Sequence, residues 1–247
     1  MFDTLLLAAG AGTRMGILSN EVAKPALKVG NETLIGRLSR QVSRLEGLCS
    51  LYINCSHRAE SIVQALQEQE LPVDPIFLWE KEIMGTAWTL TKVAERSTKD
   101  LLVIHGDLFL QYSGLSNFVS KAREQSTVST IAIHQRELWK ARSVVDFNPY
   151  SKIVNSIIPR SLAHNESNQD SQSQSIWSNS GIYYFCSNNL KTFKSENLRN
   201  SLIELAILPL IINNQNLRAL TYTDVRYSIE TPDDLNFVGN QGFRGVD

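Results

Sequence analysis

The stretch Leu7-Ala8-Ala9-Gly10-Ala11-Gly12-Thr13-Arg14-Met15-Gly16 decides how this chain is read. It follows a short apolar run, Thr4 to Leu7, with the composition of a buried strand. Its small residues let backbone N–H groups come close to a polyphosphate, which larger side chains would prevent. Arg14 adds a fixed cation whose planar fork matches phosphate oxygens. A loop at the carboxyl end of a strand is also where open α/β sheets bind ligands. Two other glycine loops do not fit. A dinucleotide fingerprint needs Gly-x-Gly-x-x-Gly, and Met15 stands at the sixth position. The second strand then ends at Asn54-Cys55, without the ribose-binding acid. A P-loop needs Gly-Lys-Ser/Thr, and the chain contains no such triplet. For the glycines alone, a plain strand-to-loop turn remains an alternative. Lys24-Pro25, ten residues after Arg14, adds a lysine on a stiffened chain that could reach the same phosphates.

Outward from this loop, short apolar runs alternate with amphipathic stretches. Strands are expected at Thr4–Leu7, Leu51–Ile53, Ile76–Leu78 and Leu101–Ile104. Helices are expected at Leu34–Leu45, Ala59–Gln67, Ala87–Ala94 and Leu115–Arg123. This rhythm implies an α/β fold: a largely parallel sheet with helices on both faces. The second half changes character. Val128–His134, Val144–Phe147 and Ile153–Ile158 read as strands without long helices between them, which suggests an antiparallel excursion. Ser161–Ser175 is dominated by Ser, Gln, Asn and Asp and reads as a mobile surface loop. Gly181–Phe185 is a further strand, Leu202–Ile212 a helix disturbed by Pro209, and Leu217–Thr221 a late strand. Thr231-Pro232-Asp233-Asp234 opens the last helix, with Thr as N-cap and acids at the positive end of the dipole. No linker divides the chain, so residues 1–247 are expected to form one domain.

Composition narrows the function classes. Lysine plus arginine is 24 and aspartate plus glutamate 25, a net charge of −1, which argues against a polybasic nucleic-acid or membrane-surface protein. The three cysteines, Cys49, Cys55 and Cys186, are too scattered for a disulfide framework, so the expected setting is a reducing, cytoplasmic one. No apolar run reaches the roughly 18 residues of a membrane span, and the N-terminus lacks the basic region of a signal peptide. The four histidines, His57, His105, His134 and His164, are far apart and read as packing or surface residues.

The glycine loop followed by Lys24-Pro25 resembles the signature of the sugar-1-phosphate nucleotidyltransferases, a Rossmann-like family. Further stretches agree in order: Glu82-Ile83-Met84-Gly85-Thr86-Ala87, His105-Gly106-Asp107, Val144-Val145 with Lys152-Ile153, Asn179-Ser180-Gly181-Ile182-Tyr183, and Ile229 to Leu235. The resemblance covers about residues 2 to 238. It implies a three-layer α/β/α sandwich with a mostly parallel mixed central sheet. It also implies transfer of a nucleoside monophosphate from an NTP to a sugar 1-phosphate, giving an NDP-sugar for glycan or envelope synthesis and releasing pyrophosphate. The acceptor phosphate is already ionised near neutral pH, so positioning and electrostatics should do most of the catalysis.

Roles follow from the resemblance. Leu7, Ala8, Ala9, Gly10, Ala11, Gly12, Thr13 and Arg14 would bind the nucleotide, with Gly85 and Thr86 flanking the base. Arg14, Lys24 and Asp107 would be catalytic, with Lys24 bridging the α-phosphate and the acceptor phosphate. Lys24, Asn179 and Gly181 would hold the sugar phosphate. Asp107 would bind Mg²⁺, which prefers carboxylate and phosphate oxygens.

Two departures stand out. The family's second metal-binding Asp, four residues before the proline, is Ser228 here. Glu230 is the expected replacement, with Asp224 a poorer one. The family's Glu-Lys-Pro segment falls near Ile158-Pro159-Arg160, and its acid is absent. Ala9 resembles members that use UTP or CTP. Two alternatives stay open: a cytidylyltransferase acting on a non-sugar phosphate such as phosphocholine, and a non-catalytic nucleotide-sugar-binding subunit. The sugar and the oligomeric state, a homo-oligomer included, are not readable.

Overall fold

The computed structural model describes residues 1–125, 127–137, 141–159 and 175–241. The chain begins with β1 (Phe2–Leu7), a small hairpin β2 (Lys28–Val29) and β3 (Glu32–Thr33), then α1 (Leu34–Ser43). β4 (Leu48–Cys55), α2 (Ala59–Gln67), β5 (Pro75–Trp79), α3 (Thr86–Ala94) and β6 (Asp100–His105) follow in strict alternation. Next come β7 (Leu108–Leu110), α4 (Tyr112–Glu124), β8 (Ser129–Glu137), β9 (Ser143–Phe147), β10 (Val154–Pro159) and β11 (Ser175–Phe185). Three short helices, α5 (Ser187–Leu190), α6 (Ile203–Ala206) and α7 (Leu208–Asn213), lead to β12 (Leu217–Thr221), β13 (Arg226–Ser228) and α8 (Pro232–Asn240).

The central sheet has the order β12-β8-β11-β6-β1-β4-β5. Only β11 runs against its neighbours β6 and β8; the other pairings are parallel. Side chains on β1 and β6 alternate between two cores, as the period of a strand requires. Phe2, Leu6, Leu102 and Ile104 pack with Leu38, Ile62 and Phe118 from α1, α2 and α4. Leu5, Leu7, Leu101 and Val103 pack with Leu90 of α3, Ile203 of α6 and Leu208 of α7. The result is the three-layer α/β/α sandwich with a mostly parallel mixed sheet. Because β1 and β6 are covered on both faces, their centres, Leu5–Leu7 and Leu101–Ile104, read as continuous apolar runs.

The chain moves from β1 outward to β4 and β5, then returns to the other side of β1 as β6. This reversal opens a crevice beyond the carboxyl ends of β1 and β6, the ordinary ligand position in such sheets. β9 and β10, between β8 and β11 in the chain, form the antiparallel excursion expected in the second half.

Several expectations need adjustment. The helix expected over Leu202–Ile212 is broken into α6 and α7, and Pro209 sits in the first turn of α7, where its missing N–H costs nothing. The strand expected at Gly181 begins at Ser175, because Ser175 to Asn179 pairs with Glu137 to Ile133 of β8. Ser175 is therefore the start of a strand rather than the end of a loop. The rest of the polar segment, with Arg160 and His164, lies outside the described residues. The chain after Gly12 forms a short 3-10 helix, Thr13–Asn20, kinked at Gly16. The β7–β13 pairing has no counterpart in the sequence reading.

Candidate active site

The loops after β1 and β6 touch. The Gly106 N–H donates to the Leu7 carbonyl at 2.9 Å. A Cβ on Gly106 would lie 2.8 Å from that oxygen, so the contact depends on glycine. Gly12 has φ +64° and a Cβ there would lie 3.1 Å from the Lys24 Cβ. The turn thus lays the lysine side chain across the glycine loop, and Lys24 is 9% exposed. Its Nζ meets Asp107 Oδ2 at 2.7 Å. Burial works against the Asp107 carboxylate, but Lys24, then His105 and Arg226, hold its pKa below the ordinary aspartate value.

β13 brings in the last acid. Ser228 pairs with Leu108, and the Ile229 N–H donates to the Asp107 carbonyl at 2.9 Å. Glu230 therefore reaches the same space as Asp107. Its Oε2 accepts from Arg14 at 2.5 Å and also pairs with Arg142, while Ser228 Oγ donates to its Oε1 at 3.2 Å. Thr231 and Asp234 form a capping box, and Asp234 also accepts from the Glu230 N–H at 3.0 Å, which fixes the backbone there.

These residues line one cavity of about 360 Å³. Leu7, Ala9, Gly10, Ala11, Gly12, Thr13 and Arg14 form one wall. Gly85 and Thr86 form another, and Lys24, Asp107 and Glu230 meet at the third. Gly85 has φ +88°, and a Cβ there would lie 2.5 Å from the Ser201 carbonyl, so the α3 start packs directly on the segment before α6. Ala8, Asn179 and Gly181 do not line the cavity. Ala8 lies behind its wall. The Asn179 amide donates to Tyr183 Oη at 2.6 Å and to Glu204 at 3.3 Å. Gly181 backs the His105 ring, whose atoms would lie 3.3 Å from a Cβ at that position.

The structure adds residues that sequence reading passed over. Asn54, at the end of β4, accepts from the Ala8 and Ala9 N–H groups at 2.6 and 3.3 Å. Its amide donates to Glu80 at 2.9 Å. Glu80 also accepts from Thr89 at 2.6 Å and from the Met84 N–H at 3.2 Å. Both Asn54 and Glu80 line the cavity. Their only signal was position: each follows an apolar strand run, at the sheet's carboxyl edge. His105, read as packing or surface, lines the cavity as well. Its buried Nε2 lies 4.0 Å from Glu204 and has no hydrogen-bond partner among the described residues.

The family profile described as nucleotidyl transferase matches residues 3–225. The chain belongs to the nucleotidyl transferase family. It is 28% identical over 119 residues to the bifunctional protein GlmU of Methanococcus aeolicus, covering 48% of this chain and 27% of that protein. It is 26% identical over 237 residues to the mannose-1-phosphate guanyltransferase of Schizosaccharomyces pombe, covering 93% of this chain and 61% of that one. The chain thus spans less than two thirds of the length of either relative. Its fold matches the crystal structure of HddC from Yersinia pseudotuberculosis with a TM-score of 0.75 at 19% identity, covering 97% of this chain and 98% of that one. Family membership fits the site: a glycine-walled cavity, a lysine–aspartate pair and a second acid converge on a space of nucleotide scale. Among the described residues, no helix of this nucleotidyl transferase is long and apolar enough to cross a membrane.

Proposed function

We propose that the chain transfers a nucleoside monophosphate from an NTP to a sugar 1-phosphate, forming an NDP-sugar and releasing pyrophosphate. The observation that carries this reading is the convergence of Lys24, Asp107 and Glu230 on one cavity with the glycine loop. An acceptor phosphate oxygen bonds to the α-phosphorus, and the bond from that phosphorus to the β-phosphate bridging oxygen breaks. Pyrophosphate leaves with the electron pair. No proton need move, because the acceptor phosphate is ionised. Lys24 and Arg14 offset the negative charge that accumulates as the two anions meet. Backbone N–H groups of Gly10 to Gly12 hold the phosphate tail.

The donor set suits Mg²⁺. Asp107 and Glu230 offer two hard carboxylates, and phosphates and water would supply the remaining oxygens. Bound there, Mg²⁺ would neutralise phosphate charge; Lys24 would then exchange its pairing with Asp107 for one with phosphate.

The base is argued from Glu80. A carboxylate only accepts, so it favours a base edge that presents N–H donors, and guanine presents two side by side. HddC has been crystallised with GMP-PN, and the Schizosaccharomyces relative is named a guanyltransferase. We therefore put GTP ahead of the UTP or CTP suggested by Ala9. The cytoplasmic setting inferred from scattered cysteines belongs to the same proposal. The deciding test is a matrix of four NTPs against sugar 1-phosphates and phosphocholine, read as pyrophosphate release with and without Mg²⁺. Turnover with a sugar 1-phosphate, lost on chelation, is expected; release with phosphocholine alone moves the acceptor class. No release with any pair makes the chain a binding subunit.

A further inference from the structure

A second cavity, of about 230 Å³, lies on the far side of β13, between the end of β8 and α8. Two arginines enter it. Arg226 donates through Nε to the Ser180 carbonyl at 2.8 Å, and its terminal nitrogen lies 3.5 Å from His134 Nε2. Arg136 stands opposite, half-buried at the end of β8, and its guanidinium makes no hydrogen bond or ion pair among the described residues. Asp234 is the carboxylate whose charge reaches Arg136. Asp234 lines the same cavity, and one of its oxygens is taken up by the helix cap: Oδ2 accepts from the Glu230 and Thr231 N–H groups and the Thr231 hydroxyl, at 2.9 to 3.0 Å. Tyr227 and Phe237, edge to face at 5.6 Å, close the rim with apolar surface, and Phe237 is 51% exposed. The two arginines repel each other through a partly desolvated space. Asp107 reaches Arg226 from the catalytic side and Asp234 serves the helix cap, so two guanidinium groups share this concavity against one lining carboxylate, an arrangement that an added anion would stabilise.

We propose that this cavity is a second oxyanion site, taking a phosphoryl or carboxylate group between Arg136 and Arg226. Ser228 lines the second cavity and donates to Glu230, which lines the first. The anion belongs either to the far end of the acceptor or to a separate small molecule that reports to Glu230 through Ser228. Only the first of these sources rests on the transfer reading above.

The test is a calorimetric titration of the full chain with inorganic phosphate. Wild type is expected to bind two phosphates, one in each cavity. Arg136→Glu is expected to bind one, with at least a tenfold loss of affinity at the other site. Because Arg136 is half-buried and its guanidinium makes no hydrogen bond or ion pair among the described residues, this variant should fold; its melting temperature without phosphate checks that. Arg226→Lys keeps the charge, loses the fork, and is expected to weaken the same phosphate. Equal stoichiometry and affinity in wild type and both variants would overturn the proposal. Competition assigns the source. If mannose 1,6-bisphosphate displaces both phosphates and mannose 1-phosphate only one, the acceptor carries the second anion. If each displaces only one, a separate effector does. The readout is binding, so an inactive chain that still loses one phosphate in Arg136→Glu defeats the transfer reading and keeps this site.

Discussion

The two sides of the catalytic cavity are built by different means. The side formed by β1, β4 and α3 is made of backbone and small residues: Gly10 to Gly12, Gly85, and the Ala8 and Ala9 amides held by Asn54. The side formed by β7, β13 and the segments around them is made of charged side chains: Asp107 and Glu230 line it, and Arg142 pairs with Glu230. On the transfer reading proposed above, the first side would present fixed dipoles to the nucleotide phosphates. The second presents charges carried on side chains rather than on the loop backbone. That reading assigns phosphate-tail binding to loop geometry and acceptor choice to ions on strands far apart in sequence.

The largest expected effect lies where the sides meet. Asp107→Asn keeps the shape and removes the charge that pairs with Lys24. It should lower turnover by about 10³-fold and also lower the melting temperature, because Lys24 is left buried without its partner. Lys24→Ala should lower the chemical step by about 100-fold, seen in single-turnover pyrophosphate release. If Lys24→Ala alters only NTP affinity, its bridging role is wrong. Undiminished turnover in Asp107→Asn removes that residue from the chemistry.

Next come the glycines, which separate backbone geometry from ligand approach. Gly85→Ala forces a methyl to within 2.5 Å of the Ser201 carbonyl at φ +88°. It should destabilise the fold by about 3 kcal/mol, measured by denaturant titration. Gly10→Ala meets nothing within 4 Å, so it should leave stability unchanged while weakening NTP binding. A Gly10→Ala protein with full NTP affinity would show that the phosphates do not approach this backbone. A smaller loss is expected from Asn54→Ala, which frees the Ala8 and Ala9 N–H groups. KM for the NTP should rise about tenfold, and Asn54→Asp should not rescue it, since its carboxylate would face Glu80.

The same contrast explains what the sequence makes legible. Continuous apolar runs in β1, β4 and β6 follow from burial on both faces, so strands and the helices between them stand out by period. The glycine loop stands out because few side chains tolerate its geometry. Asn54 and Glu80 were silent because one polar residue after a strand looks like any loop entry. Their meaning depends on β4 and β5 lying beside β1, which no local pattern encodes. Glu230 was legible only as the acid nearest a missing Asp. Its union with Asp107 needs the β7–β13 ladder, two strands of three residues each separated by more than a hundred positions. The sugar-side residues Asn179 and Gly181 carried a motif, yet they stand behind the cavity wall, where they set the positions of Glu204 and His105.

The smallest expected effect is a change of slope with pH, and it contrasts His134 with Asp107. Burial, then Arg226 and Arg136, push the His134 pKa from 6.5 down to about 3. In the unfolded chain His134 takes up a proton as pH falls through 6.5; in the fold it stays neutral until about pH 3. Between those values the unfolded chain binds the extra proton, so stability falls as pH falls. His134→Gln removes that uptake and should flatten the stability profile between pH 6.5 and the carboxylate range, as read from denaturant midpoints in steps of pH. Asp107 acts lower: its folded pKa lies below 3.8, so its contribution is full above that value and is lost only as pH falls through the folded one. Asp107→Asn should therefore leave the upper window unchanged. A profile that stays as steep in His134→Gln as in wild type would mean that burial and the arginines of the second cavity do not hold this imidazole neutral. The electrostatic contrast between the two sides of the site would then lose its support at β8.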